Sequence, residues 1–173
     1  MSFSPVGKVA GAAFVTSAGA SLVAVAAAWP SHAMQLFHAG TAAGIVAIIA
    51  IRLGLRVPSP TPARLDVGLF VGAIVAQAIA MPLILPRLHG DLHQTWLAML
   101  MIAALHFLPM VRPLGRWVAL LGLAGLGVTA LGYLVPEIPV QVIIAVFGGL
   151  EIGAGAAAAA RAWPQTALAA APV

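Results

Sequence analysis

Six long apolar runs, set apart by short polar or proline-bearing stretches, give the chain its pattern: Val9 to Trp29, Phe37 to Ile51, Val67 to Leu85, Trp96 to Val111, Trp117 to Val135 and Val140 to Ala160. About 20 apolar residues in a helix cross the hydrocarbon core of a bilayer. A helix is the element expected there, because it satisfies its own backbone hydrogen bonds where no water is available. The second and fourth runs are short and reach full length by carrying Arg56 and Arg112 toward the headgroups on flexible side chains. Pro30, Pro86 and Pro136 follow the first, third and fifth runs, spaced by 56 and then 50 residues. That spacing suggests three in-out-in hairpins, although proline also ends helices at a membrane surface without any internal repeat.

The pattern predicts an all-α fold, a polytopic membrane protein built as a six-transmembrane-helix bundle. It forms one domain over residues 1–162, with a mobile cytoplasmic tail over residues 163–173. Between the second and third runs, Val57 to Ala63 carries three prolines and is expected to be extended. Lys8 before an apolar run that ends near Ala26, Ala27 and Ala28 has some features of a cleaved signal peptide. The run is long for one, and the first segment is read as a helix.

Composition agrees: 62% of the 173 residues are apolar and 7% charged, with a mean hydropathy of +1.09, outside the range of a soluble domain. The chain holds no cysteine, which excludes disulfides, thiolate metal sites and a cysteine nucleophile. Its net charge of +4 reads as a topology signal, not as a nucleic-acid footprint. With six crossings and an inside amino terminus, Lys8, Arg52, Arg56, Arg64, Arg112, Arg116 and Arg161 face the cytoplasm and Arg87 alone lies outside. The positive-inside rule then places both termini in the cytoplasm of a multi-pass protein of the cytoplasmic membrane.

Small residues crowd the first run (Gly11, Ser17, Gly19, Ala20, Ser21), the fifth (Gly122, Gly125, Gly127, Gly132) and the sixth (Gly148, Gly149, Gly153, Gly155). Lipid gives helices no hydrophobic reason to associate, so close backbone approach has to supply the contact. Such faces serve internal packing, or dock a second copy or a partner membrane subunit; the bilayer itself is the other expected partner.

Ionisable side chains within the runs are the candidate chemistry. An Arg, Lys or Asp at mid-span costs about 2.5 to 3.5 kcal/mol on insertion scales, so such a group faces the bundle interior and finds a partner. His106, Glu151 and Arg52 qualify, at depths of about 9, 15 and 6 Å from the basic belt, and would form one ligand or proton site if the second, fourth and sixth helices adjoin. Pro109 cannot donate to the carbonyl of Leu105, so a kink beside His106 is expected to free that carbonyl. Glu151 stands in Gly-Gly-Leu-Glu-Ile-Gly with no adjacent cation and is read either as a proton carrier or as the partner of Arg52. Gln77 and Thr129 are candidate polar neighbours.

A second set of histidines lies toward the opposite face: His32, His38, His89 and His93. His89 and His93 have the i, i+4 spacing of two ligands on one helical face, and Met34 and Met81 would suit copper(I). Zinc or copper at this set, or haem between His38 and His93, is the alternative to a chain without cofactors. No nucleophile elbow, HExxH, Walker loop or dinucleotide fingerprint occurs, so an enzyme is not the expected reading.

His106-Phe107-Leu108-Pro109, followed by Arg112 and a glycine-rich span, resembles an element in uncharacterised small bacterial membrane proteins that carry His-Phe-Leu/Phe-Pro in a transmembrane helix. The alanine-rich first span is similar to the partner-docking helix of substrate-binding subunits in energy-coupling-factor vitamin transporters. The resemblances imply a helical membrane protein, and the second a transport role. The expected function is a small transporter, channel or transporter subunit for a small solute or proton. The alternative is a haem-binding, metal-binding or structural subunit of a membrane complex.

Overall fold

The computed structural model describes residues 3–54, 64–88 and 90–170, with side chains through Trp163. Arg56, the proline-rich segment and His89 lie outside the described residues. Among those described the chain is helical throughout: α1 (Pro5–Ala27), α2 (Ala33–Gly54), α3 (Arg64–Ile84), α4 (Leu92–Phe107), α5 (Val111–Leu114), α6 (Arg116–Leu134) and α7 (Val140–Ala170). Six stretches are long and apolar enough to cross a membrane, with α4, a 3-10 turn at Leu108–Met110 and α5 together making the fourth.

Polar signals extend several helices beyond their apolar runs. Ser4 caps α1, its hydroxyl accepting the Gly7 N–H at 3.2 Å, and Pro5 follows at the first helical position, where its missing N–H costs nothing. Asp91 caps α4 in the same way, accepting from the Gln94 N–H at 3.0 Å. At the other end of the chain α7 continues to Ala170, so the segment expected to form a tail is helical as far as that residue.

The helices divide into a close-packed group and a flank. α1 packs along α7 and α2, while α4 packs on α6 and α3, and α6 joins α7. The apolar core between them gathers Trp96, Leu97, Leu100, Ile143, Ile144 and Phe147. α2 and α3 bury little: Ile45, Val46, Ile49 and Leu53 on α2, and Val71, Ile74, Val75 and Ile79 on α3, are all exposed. Those faces suit acyl chains, the one surrounding in which an exposed isoleucine has no reason to bury itself.

Glycine sets the distance between α1 and α7. A β-carbon on Gly19 would lie 2.5 Å from the Gly148 carbonyl oxygen and 2.7 Å from the Glu151 β-carbon. Gly155 likewise faces Ala12 and Thr16, whereas Gly149 and Gly153, on the other side of α7, meet nothing within 4 Å. The small residues expected to pack helices are therefore of two kinds, and only one face of α7 uses them. At Gly115, where α5 turns into α6, φ is 109°, a conformation that glycine reaches without steric cost.

Candidate functional site

The helix is interrupted at Pro109, and the chemistry differs from the expectation. α4 ends at Phe107, and the chain tightens into the 3-10 turn Leu108–Met110 before α5 resumes. The Leu105 carbonyl that Pro109 cannot serve accepts the Leu108 N–H instead. Tightening by one residue keeps the carbonyl satisfied, so the imaginary partnership of a free carbonyl with His106 is absent. The imidazole is left with little: Nδ1 of His106 is buried without a well-formed hydrogen bond, and its close backbone interaction is with Ala103 of its own helix.

His106 lines a cleft of about 260 Å³ between α3 and α4, together with Gln77, Ala73, Ala80, Ile102 and Pro109. Gln77 supplies a carboxamide and the remaining walls are apolar. The same seam ends in an ion pair that the hydropathy pattern does not mark. Asp66, in the first turn of α3, is fully buried, and its Oδ1 accepts from Nε of Arg112 at 2.8 Å. Its Oδ2 is buried with no partner. Asp66 and Gln77 are 11 residues apart, close to three helical turns, so both sit on the face of α3 turned to α4. That spacing was the available signal; the bond to Arg112 joins residues 46 apart, which no local pattern reveals.

Glu151 occupies a different seam. It is 3% exposed on α7, against Gly19 of α1, and its Oε2 has no partner. Arg52 occupies a third, lining a cavity with Phe3, Gly7, Ile48, Val67 and Leu114. The three residues expected to form one site are thus distributed. Two features of packing explain it. α2 lies along α1, reaching α4 through Phe37 against Trp96, so Arg52 is carried away from α4 and α7. On α4, Ala104 is fully buried and meets α6; His106, two positions on, is turned about 200° around the helix, away from that contact. Thr129 does not join His106 either, since its hydroxyl donates to the Gly125 carbonyl of its own helix at 2.8 Å.

The histidines of the opposite end are spread similarly. His32 is exposed, its Nδ1 3.1 Å from the Ser31 hydroxyl. His38 is exposed on α2, and His93 is half-buried on α4 with Nε2 lacking a partner. Among the described residues no three His, Asp or Glu side chains come together in a group able to hold a metal; the pairing of His93 with His89 falls outside them.

No curated protein and no solved structure matches the chain. The sequence from the first residue of α2 to Arg161, most of the bundle apart from α1, does match a known family. Through residues 33–161 the chain belongs to the family of unknown function DUF6609.

Proposed function

We propose that this protein is a transporter or transporter subunit for a small polar solute or for protons. It acts in the cytoplasmic membrane with both termini inside, and the cleft between α3 and α4 is its polar site. The observation that carries the reading is His106, whose buried Nδ1 lacks a well-formed hydrogen bond and has only the Ala103 backbone of its own helix nearby, beside Gln77 in a cleft of about 260 Å³. A neutral imidazole offers one donor and one acceptor and a carboxamide offers both kinds. Together they match the mixed hydrogen-bonding groups of a small polar solute, or pass a proton through the imidazole. A buried polar atom without a partner costs stability, which is understandable where a ligand completes it. Glu151, enclosed and unpartnered on α7, is a second group suited to carrying a proton, at a separate place in the bundle. With six crossings and the amino terminus inside, seven basic residues would face the cytoplasm and Arg87 alone the other side, a distribution that supports the orientation.

The test is flux in proteoliposomes. With an entrapped pH-sensitive dye and an imposed potassium diffusion potential, the wild type is expected to admit protons faster than empty vesicles, or to do so when one of a panel of small polar solutes is supplied. His106→Ala and Gln77→Leu should each lower that flux at least about tenfold with thermal stability retained. Flux equal to wild type in both variants would overturn the assignment of the cleft. No flux with any solute would overturn transport.

A further inference from the structure

Arg52 stands apart from the transport reading and has a setting of its own. It lies in the last turn of α2, exposed, and makes no hydrogen bond or ion pair among the described residues. Its cavity, about 300 Å³, is walled by Phe3, Ile48, Val67, Phe70 and Leu114, all apolar. Two flanking helices open it toward lipid: Ile45 and Ile49 on α2 are 50% and 52% exposed, and Val71 on α3 is 49% exposed. The same end of the bundle carries Arg112, half-exposed, whose Nε is held by Asp66. Phe3 and Phe70 meet edge to face at 5.5 Å and form one wall.

These features select a ligand with two unlike parts. The guanidinium is a planar fork of donors that fits two oxygens of one phosphate. The walls offer no further donor, so a bare phosphate would lose its hydration with one side chain to replace it. An acyl chain, in contrast, fits walls of Phe, Ile, Val and Leu and reaches them from the side without leaving the bilayer. Cationic clefts between membrane helices at the level of the headgroups hold anionic lipids by this combination. We infer that the cleft between α1, α2 and α3 binds an anionic phospholipid, its phosphate on Arg52 and the upper part of one acyl chain between Ile48, Val67 and Phe70.

Thermal unfolding of the full chain in an uncharged detergent, titrated with defined lipids, tests this. Phosphatidylglycerol should raise the wild-type Tm by about 5 °C more than phosphatidylcholine at saturation. Arg52→Gln should abolish the difference and Arg52→Lys should keep part of it, because the charge remains and the fork is lost. Ile48→Trp, which fills the cleft, should remove the response to phosphatidylglycerol while leaving the unliganded Tm in place. Equal shifts with the two lipids in the wild type, or a preference that survives Arg52→Gln, would overturn the proposal. A shift of the same size with inorganic phosphate alone would overturn it in favour of a soluble-anion site.

Discussion

Gly19 and Gly148 face each other across the seam of α1 and α7 in a reciprocal way: a β-carbon on either would fall 2.5 or 2.6 Å from the other's carbonyl oxygen. Neither obstacle is the movable end of a side chain. Both are backbone, so a methyl group at either position has to push two helices apart.

Gly19→Ala and Gly148→Ala are therefore each expected to destabilise the protein by about 1 to 3 kcal/mol, the range for overfilling a packed interior. Gly149→Ala is the control, since its β-carbon meets nothing within 4 Å; there the better helix propensity of alanine makes the change neutral or favourable by up to about 1 kcal/mol. Reversible unfolding in mixed micelles reads all three.

The Asp66 and Arg112 pair should respond asymmetrically to loss of either partner. Arg112→Gln leaves a fully buried carboxylate with its cation gone, and a cost of about 1 to 3 kcal/mol is expected, reduced from the value for a wholly buried pair because the Arg112 side chain is 51% exposed. Asp66→Asn keeps an oxygen that can accept from Arg112 and removes the buried charge, while the 51% exposed Arg112 side chain keeps access to solvent or headgroups, so it should cost less, about 1 kcal/mol or below. Equal losses in the two variants would show that the buried carboxylate is stabilised by something other than Arg112.

Pro109 is responsible for the 3-10 turn after α4. Pro109→Ala restores an N–H that can reach the Leu105 carbonyl, so α4 is expected to run on through residues 108–110 with equal or greater stability. The cleft at His106 should change shape and flux should fall. Hydrogen exchange supplies the structural readout: slower exchange at Leu108, Met110 and Val111 in the variant is the expected result, and unchanged exchange would mean that tertiary packing, not proline, imposes the turn.

Glu151→Gln keeps the size of the side chain and removes its capacity to carry a proton. Packed against Gly19 with no cation to lose, the variant should unfold at or above the wild-type Tm, since a buried carboxylate without a counter-charge is itself destabilising. Its proton flux should drop if Glu151 takes part in transport. A large loss of stability would instead assign Glu151 a structural role in the α1/α7 seam.

Sequence alone carried the helices well and their neighbours poorly. Four of the six apolar runs fall inside the observed spans, while the first and fifth overrun theirs by two residues and one at the carboxyl end; most amino-terminal edges shift outward because caps such as Ser4 and Asp91 are polar and invisible to hydropathy. Which helices touch is a different matter. Nothing local says that α2 lies along α1 and carries Arg52 away from His106 and Glu151, because in lipid all apolar faces are equivalent until backbones fit together. Asp66 is inconspicuous in the sequence for a related reason. At the end of an apolar run it resembles an ordinary headgroup-level carboxylate, and its burial depends on Arg112 arriving from a helix far along the chain.

The seam between α1 and α7 has a consequence for how the protein is made. Gly148 emerges from the ribosome 129 residues after Gly19, which at 5 to 20 residues per second is a delay of about 6 to 26 s. Throughout that interval α1 lies in the membrane with the small-residue face that matches α7 uncovered, held by α2 alone among its two main neighbours. Until the last helix is inserted, the first is the segment most open to exchange with another chain or to capture by the quality-control machinery of the membrane, and truncations that remove α7 should turn over quickly even though every helix before it is intact.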